Sequence, residues 1–135
     1  MSEFDLKPKR GEIWRVNLEP TQGAEIQKDN RPVLVLSRGG QGTRGVSLCV
    51  PITNYKPDRD EVRHWRVALN NTSESGLDKI SVADASQTRA LDISRFISKD
   101  GKAHPAEIEA SAAAVARLVG YDRQPTETPG KVREN

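Results

Sequence analysis

The stretch RGEIWRVNLEPTQGAEIQKDNRPVLVLS, residues 10–37, predicts two strands joined by a long polar loop. In the first strand, apolar Trp14, Val16 and Leu18 alternate with polar residues. This two-residue period is typical of a sheet with one buried face and one wet face. The second strand, residues 32–36, is continuously apolar, as in a strand covered on both faces. The loop is longer than a hairpin needs, and such loops are usually functional or disordered.

Shorter strands follow this pair at close spacing. Pro51 indicates a strand edge, a bulge or an end within the third strand, because proline cannot donate to a strand ladder. Glycines in residues 38–45 favour a turn. Asp92 can cap a short helical turn, and Asp100 and Gly101 mark a further turn. The additional strands are predicted at residues 47–53, 64–69, 79–83 and 86–91.

One strong helix is predicted from Pro105 to about Val119. Proline fits the first turn, where its missing N–H has no partner, and Gly120 is placed to end the helix. Apolar residues recur at helical spacing and predict a stripe that faces the core. Short strands followed by one helix predict a small, curled antiparallel barrel, mainly β with α. The stripe consists of Ile108, Ala112, Val115 and Val119.

The length of 135 residues suits a single domain, predicted over residues 10–120 between a flexible leader (1–9) and a disordered tail (121–135). The start lacks the apolar core of a signal peptide, and no segment is long enough for a transmembrane helix. We therefore expect a cytoplasmic protein without a membrane partner. The net charge of +2 argues against a strongly basic nucleic-acid binder. A local basic patch nevertheless suits a phosphate-bearing partner as well as a merely solvated face. The patch comprises Lys28, Arg31, Arg38, Arg44 and Lys56.

The residue types give little support to metal or nucleophile chemistry. His64 and His104 lie far apart without ligand spacing, so we expect surface histidines and no zinc site. The only dense acidic run, residues 58–61, is interleaved with arginine and is interpreted as a solvated turn. Cys49, the only cysteine, lies in an apolar run and is expected in the core. We therefore expect no metal and no cofactor.

Polar residues mark the ends of the apolar strands. Arg31 opens the second strand, and Thr53 closes the third and is followed by Asn54. Gln87 and Arg89 lie in the sixth extended segment. If the sheet curls, these ends converge on one surface.

An arginine and a threonine at such a surface suit a phosphate group. The planar guanidinium of Arg31 donates two parallel hydrogen bonds and keeps its charge near neutral pH, and the Thr53 hydroxyl donates to a non-bridging oxygen. Glu25 has two candidate roles, as a proton acceptor or as a partner that orients Arg31. The set fits metal-free RNA cleavage, in which the 2′-hydroxyl of the RNA is the nucleophile. The same residue types are structural in most proteins, so both interpretations stay open.

Five segments occur along the chain in a fixed order. They are GEIWRVNL (residues 11–18), PTQGAE (20–25), RPVLVLS (31–37), VPIT (50–53) and SQTRALD (86–92), and a terminal helix follows. Together they resemble the MazF/PemK/Kid family of toxin endoribonucleases over roughly residues 9–120. The joint occurrence of the segments is specific, whereas one segment alone would not be.

The resemblance implies an SH3-like small antiparallel β-barrel with a C-terminal helix, which forms a homodimer. It implies a toxin that cleaves single-stranded RNA at short sequences without a metal. The products would carry a 2′,3′-cyclic phosphate and a 5′-hydroxyl. A cognate antitoxin would cover the RNA groove with an acidic, partly disordered segment.

The resemblance also implies roles for single residues. Arg31 matches the family's acid or charge stabiliser, and Thr53 matches the residue that holds the scissile phosphate. Glu25 matches a loop glutamate, and Gln87 a glutamine that some members use on RNA. Asn30 stands where some members have a histidine, and since an amide cannot shuttle a proton, the base for the 2′-hydroxyl is unassigned. The RNA-binding or supporting candidates are Glu25, Lys28, Asn30, Asn54, Gln87 and Arg89.

Two other functions fit the same pattern. A toxin of this fold could poison a protein such as a topoisomerase through its terminal helix without cutting RNA. The pair Arg31 and Thr53 counts against this alternative, because such a poison needs neither. An inert barrel that only binds nucleic acid or peptide is the third interpretation.

Overall fold

A computed structural model describes residues 7–38, 45–60 and 63–121, and it contains seven strands and two helices within these ranges. The strands are β1 (Glu12–Val16), β2 (Arg31–Val35), β3 (Val46–Asn54), β4 (Arg66–Leu69), β5 (Ser81–Asp84), β6 (Arg89–Asp92) and β7 (Phe96–Lys102). The helices are α1 (Pro57–Asp60) and α2 (Pro105–Leu118), and 3₁₀ turns lie at Ala85–Gln87 and Ile93–Arg95.

The strands form one curled antiparallel sheet in the order β4-β5-β3-β2-β1-β7, and β6 also pairs with β3. One edge of β3 pairs with β2, whereas its other edge pairs with β6 at residues 46–49 and with β5 at residues 52–54. Pro51 lies in the gap between these two partners, where its missing N–H interrupts no ladder. The prediction of a strand edge, bulge or end at Pro51 is wrong, because β3 continues through it; what changes there is the partner on one edge of the strand. Pro51 lets β3 bend from one partner to the other, which curls the sheet as predicted.

The sheet buries apolar side chains on both faces. One cluster contains Trp14, Val16, Leu18, Val33, Val35, Cys49, Leu91 and Phe96. The other contains Ile13, Leu34, Leu36, Val50, Ile52, Leu69, Leu77, Ala83, Ala103 and Ile108. The prediction that the second strand is covered on both faces is confirmed.

The predicted wet face of the first strand is wrong at Ile13, which is fully buried. The reason is α2, whose Ile108 joins the same cluster and covers that face. Gly11 allows this close approach, since a Cβ built there would lie 2.5 Å from Cδ1 of Ile108. Only the later part of the face is wet, where Asn17 is exposed.

The sequence did not predict β7, and the predicted turn at Asp100 and Gly101 lies within this strand. After Phe96 and Ile97, β7 continues without another apolar side chain, so the strand lacks the alternating pattern that would reveal it. Gly101 is required by close backbone packing instead. A Cβ there would lie 2.1 Å from the carbonyl oxygen of Glu74 and 2.6 Å from the carbonyl carbon of Ser75. The sixth predicted segment is also shorter than expected, because residues 85–87 form a 3₁₀ turn before β6.

The predicted helix is confirmed as α2, with a capping box at its start. The Nδ1 atom of His104 accepts from the Ala106 amide at 3.0 Å, and Glu107 accepts from the His104 amide at 2.9 Å. The predicted stripe is wrong at Val119, which follows the helix and is 76% exposed. The buried helix positions are Ile108, Ser111 and Ala114.

Several predictions concern residues outside the described ranges. They concern residues 1–6 of the leader, residues 39–44 of the glycine-rich turn, which include Arg44 of the basic patch, Glu61 of the acidic run, and the tail from residue 122 onward. Within the leader, Pro8 is buried and the Lys9 amide donates to the Glu12 carboxylate at 2.8 Å. Among the described residues, no helix has the length and apolar character needed to cross a membrane.

Candidate active site

Arg31 and Thr53 meet because of the register between β2 and β3. Val33 faces Pro51 in this antiparallel pair, and continuing the register by two residues sets Arg31 across from Thr53. The Nη1 atom of Arg31 also lies 3.4 Å from the carbonyl oxygen of Ile52, next to Thr53. The predicted convergence of these two strand ends is therefore present in the fold.

The guanidinium of Arg31 is half-buried and has no anionic partner in the part of the chain that the structure describes. Its two hydrogen bonds reach the carbonyl oxygens of Gln27 and Ile52, both at 3.4 Å. None of the ion pairs among the described residues includes Arg31. Burial lowers the pKa of Arg31 from its usual value, and the nearby charge of Arg15 lowers it further. A half-buried cation without a counterion among the described residues favours the binding of an anion at this position.

Arg31 and Thr53 line a cavity of about 190 Å³, which we call the arginine cavity. The predicted candidates Lys28, Asn30 and Asn54 line it as well. Its full lining is Arg15, Lys28, Asn30, Arg31, Pro32, Ile52, Thr53, Asn54, Leu77, Asp78, Lys79 and Ser81. Among the described residues of this lining, Asp78 is the only acid, against the four cations Arg15, Lys28, Arg31 and Lys79.

Two cations of the arginine cavity, Arg15 and Lys79, were not predicted as site residues. Arg15 faces Pro32 in the β1–β2 register, which brings it beside the start of β2. Its Nε atom donates to Asp100 at 2.8 Å, so its charge is compensated while that of Arg31 is not. The alternation of β1 could have revealed Arg15, because its side chain points to the opposite face of the sheet from Trp14 and Val16. Lys79 precedes β5, and nothing in its local sequence indicates this position.

The other candidates line a second cavity of about 400 Å³, which we call the loop cavity. It is lined by Ala24, Glu25, Ile26, Pro51, Ser86, Gln87, Thr88 and Arg89. Glu25, Gln87 and Arg89 are thus placed together, but apart from Arg31 and Thr53. Both cavities are lined in part by β3, the loop cavity by Pro51 and the arginine cavity by Thr53, and residues two apart in a strand lie on the same face.

Glu25 does not orient Arg31, so that one of its two predicted roles is wrong in this structure. Its Oε1 atom accepts from the Gln22 amide at 2.6 Å, within a local turn of the β1–β2 loop. Gln87 holds both neighbours of Glu25. Its Nε2 atom donates to the Ala24 carbonyl, and its Oε1 atom accepts from the Ile26 amide, both at 3.2 Å. Glu25 therefore lies in the lining of the loop cavity and not in that of the arginine cavity.

The base of the β1–β2 loop is tied to the strand that precedes it. Lys28 has a positive φ of 125°, a conformation that is rare outside glycine. Its amide donates to Glu19 Oε1 and its carbonyl accepts from Leu18, both at 3.0 Å. The Nη1 atom of Arg89 donates to the Leu18 carbonyl at 3.2 Å. These bonds hold Lys28 in the strained conformation at the edge of the arginine cavity.

The histidines and the cysteine lie away from both cavities. His64 is exposed and forms an edge-on contact with Trp65, and His104 caps α2. Cys49 is fully buried, and burial raises the pKa of its thiol to about 12. Among the described residues, no cluster of histidine, cysteine or acidic side chains has the arrangement of a metal site.

The geometry of a curled barrel with a cationic cavity has a counterpart in known proteins. The family described as PemK-like, MazF-like toxins of type II toxin-antitoxin systems matches residues 9–119. The chain therefore belongs to this toxin family.

One curated relative is endoribonuclease MazF9 of Mycobacterium tuberculosis (strain ATCC 25618 / H37Rv). It is 31% identical over 105 residues, which cover 74% of this chain and 86% of that protein. MazF from Deinococcus radiodurans has a similar structure, with a TM-score of 0.71, 25% identity and coverage of 86% of this chain and 99% of that one. A MazE–MazF complex from the same organism gives a TM-score of 0.65 at 23% identity, covering 87% of this chain and 100% of that one. These structures confirm the predicted barrel fold with its C-terminal helix.

Proposed function

We propose that this toxin cleaves single-stranded RNA and that Arg31 and Thr53 are its catalytic pair. The observation that carries the proposal is the half-buried guanidinium of Arg31, which has no ion pair among the described residues and lines a cation-rich cavity together with Thr53. A phosphate diester would supply the missing negative charge. The family and the relative named as an endoribonuclease support the same activity. They give no support to the topoisomerase alternative.

In this reaction the 2′-hydroxyl of the RNA attacks the adjacent phosphorus and the bond to the 5′-oxygen breaks. The products are a 2′,3′-cyclic phosphate and a 5′-hydroxyl end. Arg31 stabilises the charge that develops on the non-bridging oxygens, because its guanidinium keeps its proton at neutral pH. Thr53 donates its hydroxyl to the same phosphate and holds it in line. Lys28 and Asn54, which line the same cavity, contact the neighbouring backbone, and Asn30 supports them without a proton-transfer role.

The loop cavity extends the binding surface along the RNA. Glu25, Gln87 and Arg89 line it next to Pro51, one residue from the lining of the arginine cavity. An extended strand that crosses β3 here would contact both cavities. Proteins recognise an RNA sequence mostly through the unpaired bases of a single strand, which can be splayed apart. We assign these residues to RNA binding and loop support.

The proposal is tested by incubating the purified protein with a long RNA in the presence of a chelator and mapping the ends. We expect discrete cuts with 5′-hydroxyl ends, lost in Arg31→Ala and in Thr53→Ala. Arg117→Ala is the matched control, because it removes an exposed cation from α2 outside both cavities. Cutting by both site variants at the rate of the control would disprove the site, and intact RNA throughout would disprove the activity.

We further infer a cognate antitoxin, a homodimer and a cytoplasmic location. Two of the similar structures are a MazE–MazF complex and an endoribonuclease in complex with its cognate antitoxin from a mycobacterial species. An acidic antitoxin segment would compensate the cations of the arginine cavity, which we propose to bind RNA. The division into leader, domain and tail at residues 9–10 and 120–121 belongs to the same proposal. Co-expression with the neighbouring reading frame, followed by size-exclusion chromatography, tests both assemblies.

A further inference from the structure

A set of buried charges lies outside the lining of the arginine cavity but contacts the segments that carry both cavities. We call it the charge network; it consists of the buried Asp60, Arg66 and Asp84 together with two of their partners, the partly exposed Arg59 and the exposed Ser86. The side chains of Asp60, Arg66 and Asp84 are only 1%, 7% and 5% exposed. The sequence indicated a solvated turn at residues 58–61, and Asp60 corrects that prediction. It is buried because arginines from two elements satisfy its charge.

One arm of the charge network leads to the end of β3. Asp60 Oδ1 accepts from Nε of Arg59 at 2.8 Å and from Nε of Arg66 at 2.5 Å, and Asp60 Oδ2 accepts from the Lys56 amide at 2.6 Å. Arg59 in turn donates from Nη2 to the Asn54 carbonyl at 2.8 Å. This arm therefore fixes the backbone directly after Thr53.

The other arm leads to the β1–β2 loop. Nη1 of Arg66 donates to Oδ2 of Asp84, whose Oδ1 atom accepts from the amide of Ser86 at 3.0 Å and from its hydroxyl at 2.5 Å. Asp84 thereby caps the 3₁₀ turn that carries Gln87. Gln87 holds the loop on both sides of Glu25, as described above. The arm thus runs from a buried arginine to the loop cavity.

We propose that the charge network is a positioning device in which Arg66 links the end of β3, beside Thr53, to the Gln87 anchor of the β1–β2 loop. Its effect on catalysis rests on the proposed RNA cleavage. Arg66 suits the link because its planar fork addresses two carboxylates at once, which a lysine ammonium would do less well. Buried ion pairs add little net stability compared with apolar residues of the same size. Their directional bonds do fix two chain segments relative to each other, which apolar packing fixes less exactly.

The network makes Asp84 and Arg66 positioning residues and not catalytic ones. Neither lines the arginine cavity or the loop cavity. Loss of the link is expected to release the Ile26 amide from Gln87 and to lower kcat more than it raises KM. A misplacement of about 1 Å costs roughly 100-fold in rate when it reaches the reacting groups. We expect kcat to fall by about 10- to 100-fold, since the link acts on the reacting groups only through other residues.

The test compares Asp84→Asn with Asp92→Asn. Asparagine has the size of aspartate but lacks the charge that holds Arg66. Asp92 is a matched control because it also caps a 3₁₀ turn, accepting from the Ser94 amide at 2.9 Å, but it lies outside the network. Amide hydrogen exchange is measured for the Ile26 amide and for the amides of β2, which report on global opening. Cleavage kinetics on one RNA are measured in parallel.

The inference is supported if Asp84→Asn speeds Ile26 exchange by at least about 10-fold while β2 stays protected, kcat falls, and Asp92→Asn changes neither. A folded Asp84→Asn protein with unchanged Ile26 exchange, or with unchanged kcat, overturns it. If Asp84→Asn fails to fold, Ser86→Ala and Gln87→Ala decide the question. Ser86→Ala removes only the hydroxyl bond to Asp84, and Gln87→Ala removes the anchor itself. Both must then speed Ile26 exchange, and an unchanged rate in either overturns the inference. If the wild-type protein cuts no RNA, the proposed function fails, but the exchange comparison still decides whether the link exists.

Discussion

Replacing Arg31 by glutamine should separate stability from activity. Arg31 makes two long hydrogen bonds to carbonyl oxygens and no ion pair among the described residues. Hydrogen bonds of ordinary length contribute only about 1 kcal/mol each to stability, and these are at the long limit. Removing the charge also ends the repulsion from Arg15 that lowers the pKa of Arg31. We therefore expect the free energy of unfolding to change by less than about 1 kcal/mol.

The effect on catalysis should be much larger. Losing one positioned donor to the developing charge of a transition state lowers kcat by roughly 100- to 1,000-fold, which corresponds to about 2.7–4 kcal/mol. Because glutamine can still donate one hydrogen bond but carries no charge, we expect the loss to lie within this range. A residue that adds little stability and much activity is the expected signature of a catalytic group.

Arg66→Gln provides the contrasting substitution. Arg66 pairs with both Asp60 and Asp84, so its removal leaves two buried carboxylates without their cation. Breaking a buried ion pair in this way costs about 3–5 kcal/mol. Chemical denaturation and single-turnover cleavage of one RNA should be run on both variants and on the wild type. Our reasoning about Arg31 is refuted if Arg31→Gln loses as much stability as Arg66→Gln, or if it cuts within about 3-fold of the wild-type rate.

Three further predictions follow from single contacts. Burial alone would raise the pKa of Asp60, but hydrogen bonds from Arg59, the Lys56 amide and Arg66 lower it from 3.8 to about 2. Its stabilisation of roughly 2 kcal/mol should be present above about pH 4 and disappear as the pH falls towards 2. Subtracting the acid denaturation profile of Asp60→Asn isolates this term, and identical profiles would contradict it. Gly101→Ala should destabilise by about 1–3 kcal/mol or more in thermal melts, because its Cβ meets backbone atoms that cannot move aside, and an unchanged melting temperature would contradict this. Lys79→Gln should weaken binding to a non-cleavable RNA and reduce the salt slope by roughly 1, and an unchanged slope would remove Lys79 from the RNA contacts.

The sequence could predict that Arg31 and Thr53, the proposed catalytic pair, lie close together, because the relevant information is local. Arg31 opens an apolar strand and Thr53 closes another, and an antiparallel register brings such ends together. The curl of the sheet also follows from a local feature of β3. The strand changes partner from β6 to β5 at Pro51, where proline has no N–H to donate. The motif order then assigned the two residues their roles.

The charge network could not be predicted, because its partners come from elements that are separate in the chain. Asp60 lies in α1, Arg66 in β4 and Asp84 in β5, and only the pairing of β4 with β5 sets Arg66 opposite Asp84. An acidic residue between arginines has the same local pattern whether it is solvated or buried. The strand β7 was not predicted for a related reason. Its polar sequence is held in the sheet mainly by pairing with β1 and not by burial of its own side chains.

The long β1–β2 loop has a physical explanation in the two cavities that it joins. Its residues 24–26 line the loop cavity and its residues 28 and 30 line the arginine cavity, so one loop contributes to both. A minimal hairpin turn would be too short to reach from one cavity to the other. Lys28, with its strained φ, is the first residue of the part that lines the arginine cavity, and it follows closely on the part that lines the loop cavity. If RNA crosses β3 as proposed, the loop contacts it along more than one nucleotide. A change at the Gln87 anchor should then alter which RNA sequences are cut, whereas a change at Arg31 should alter only how fast they are cut.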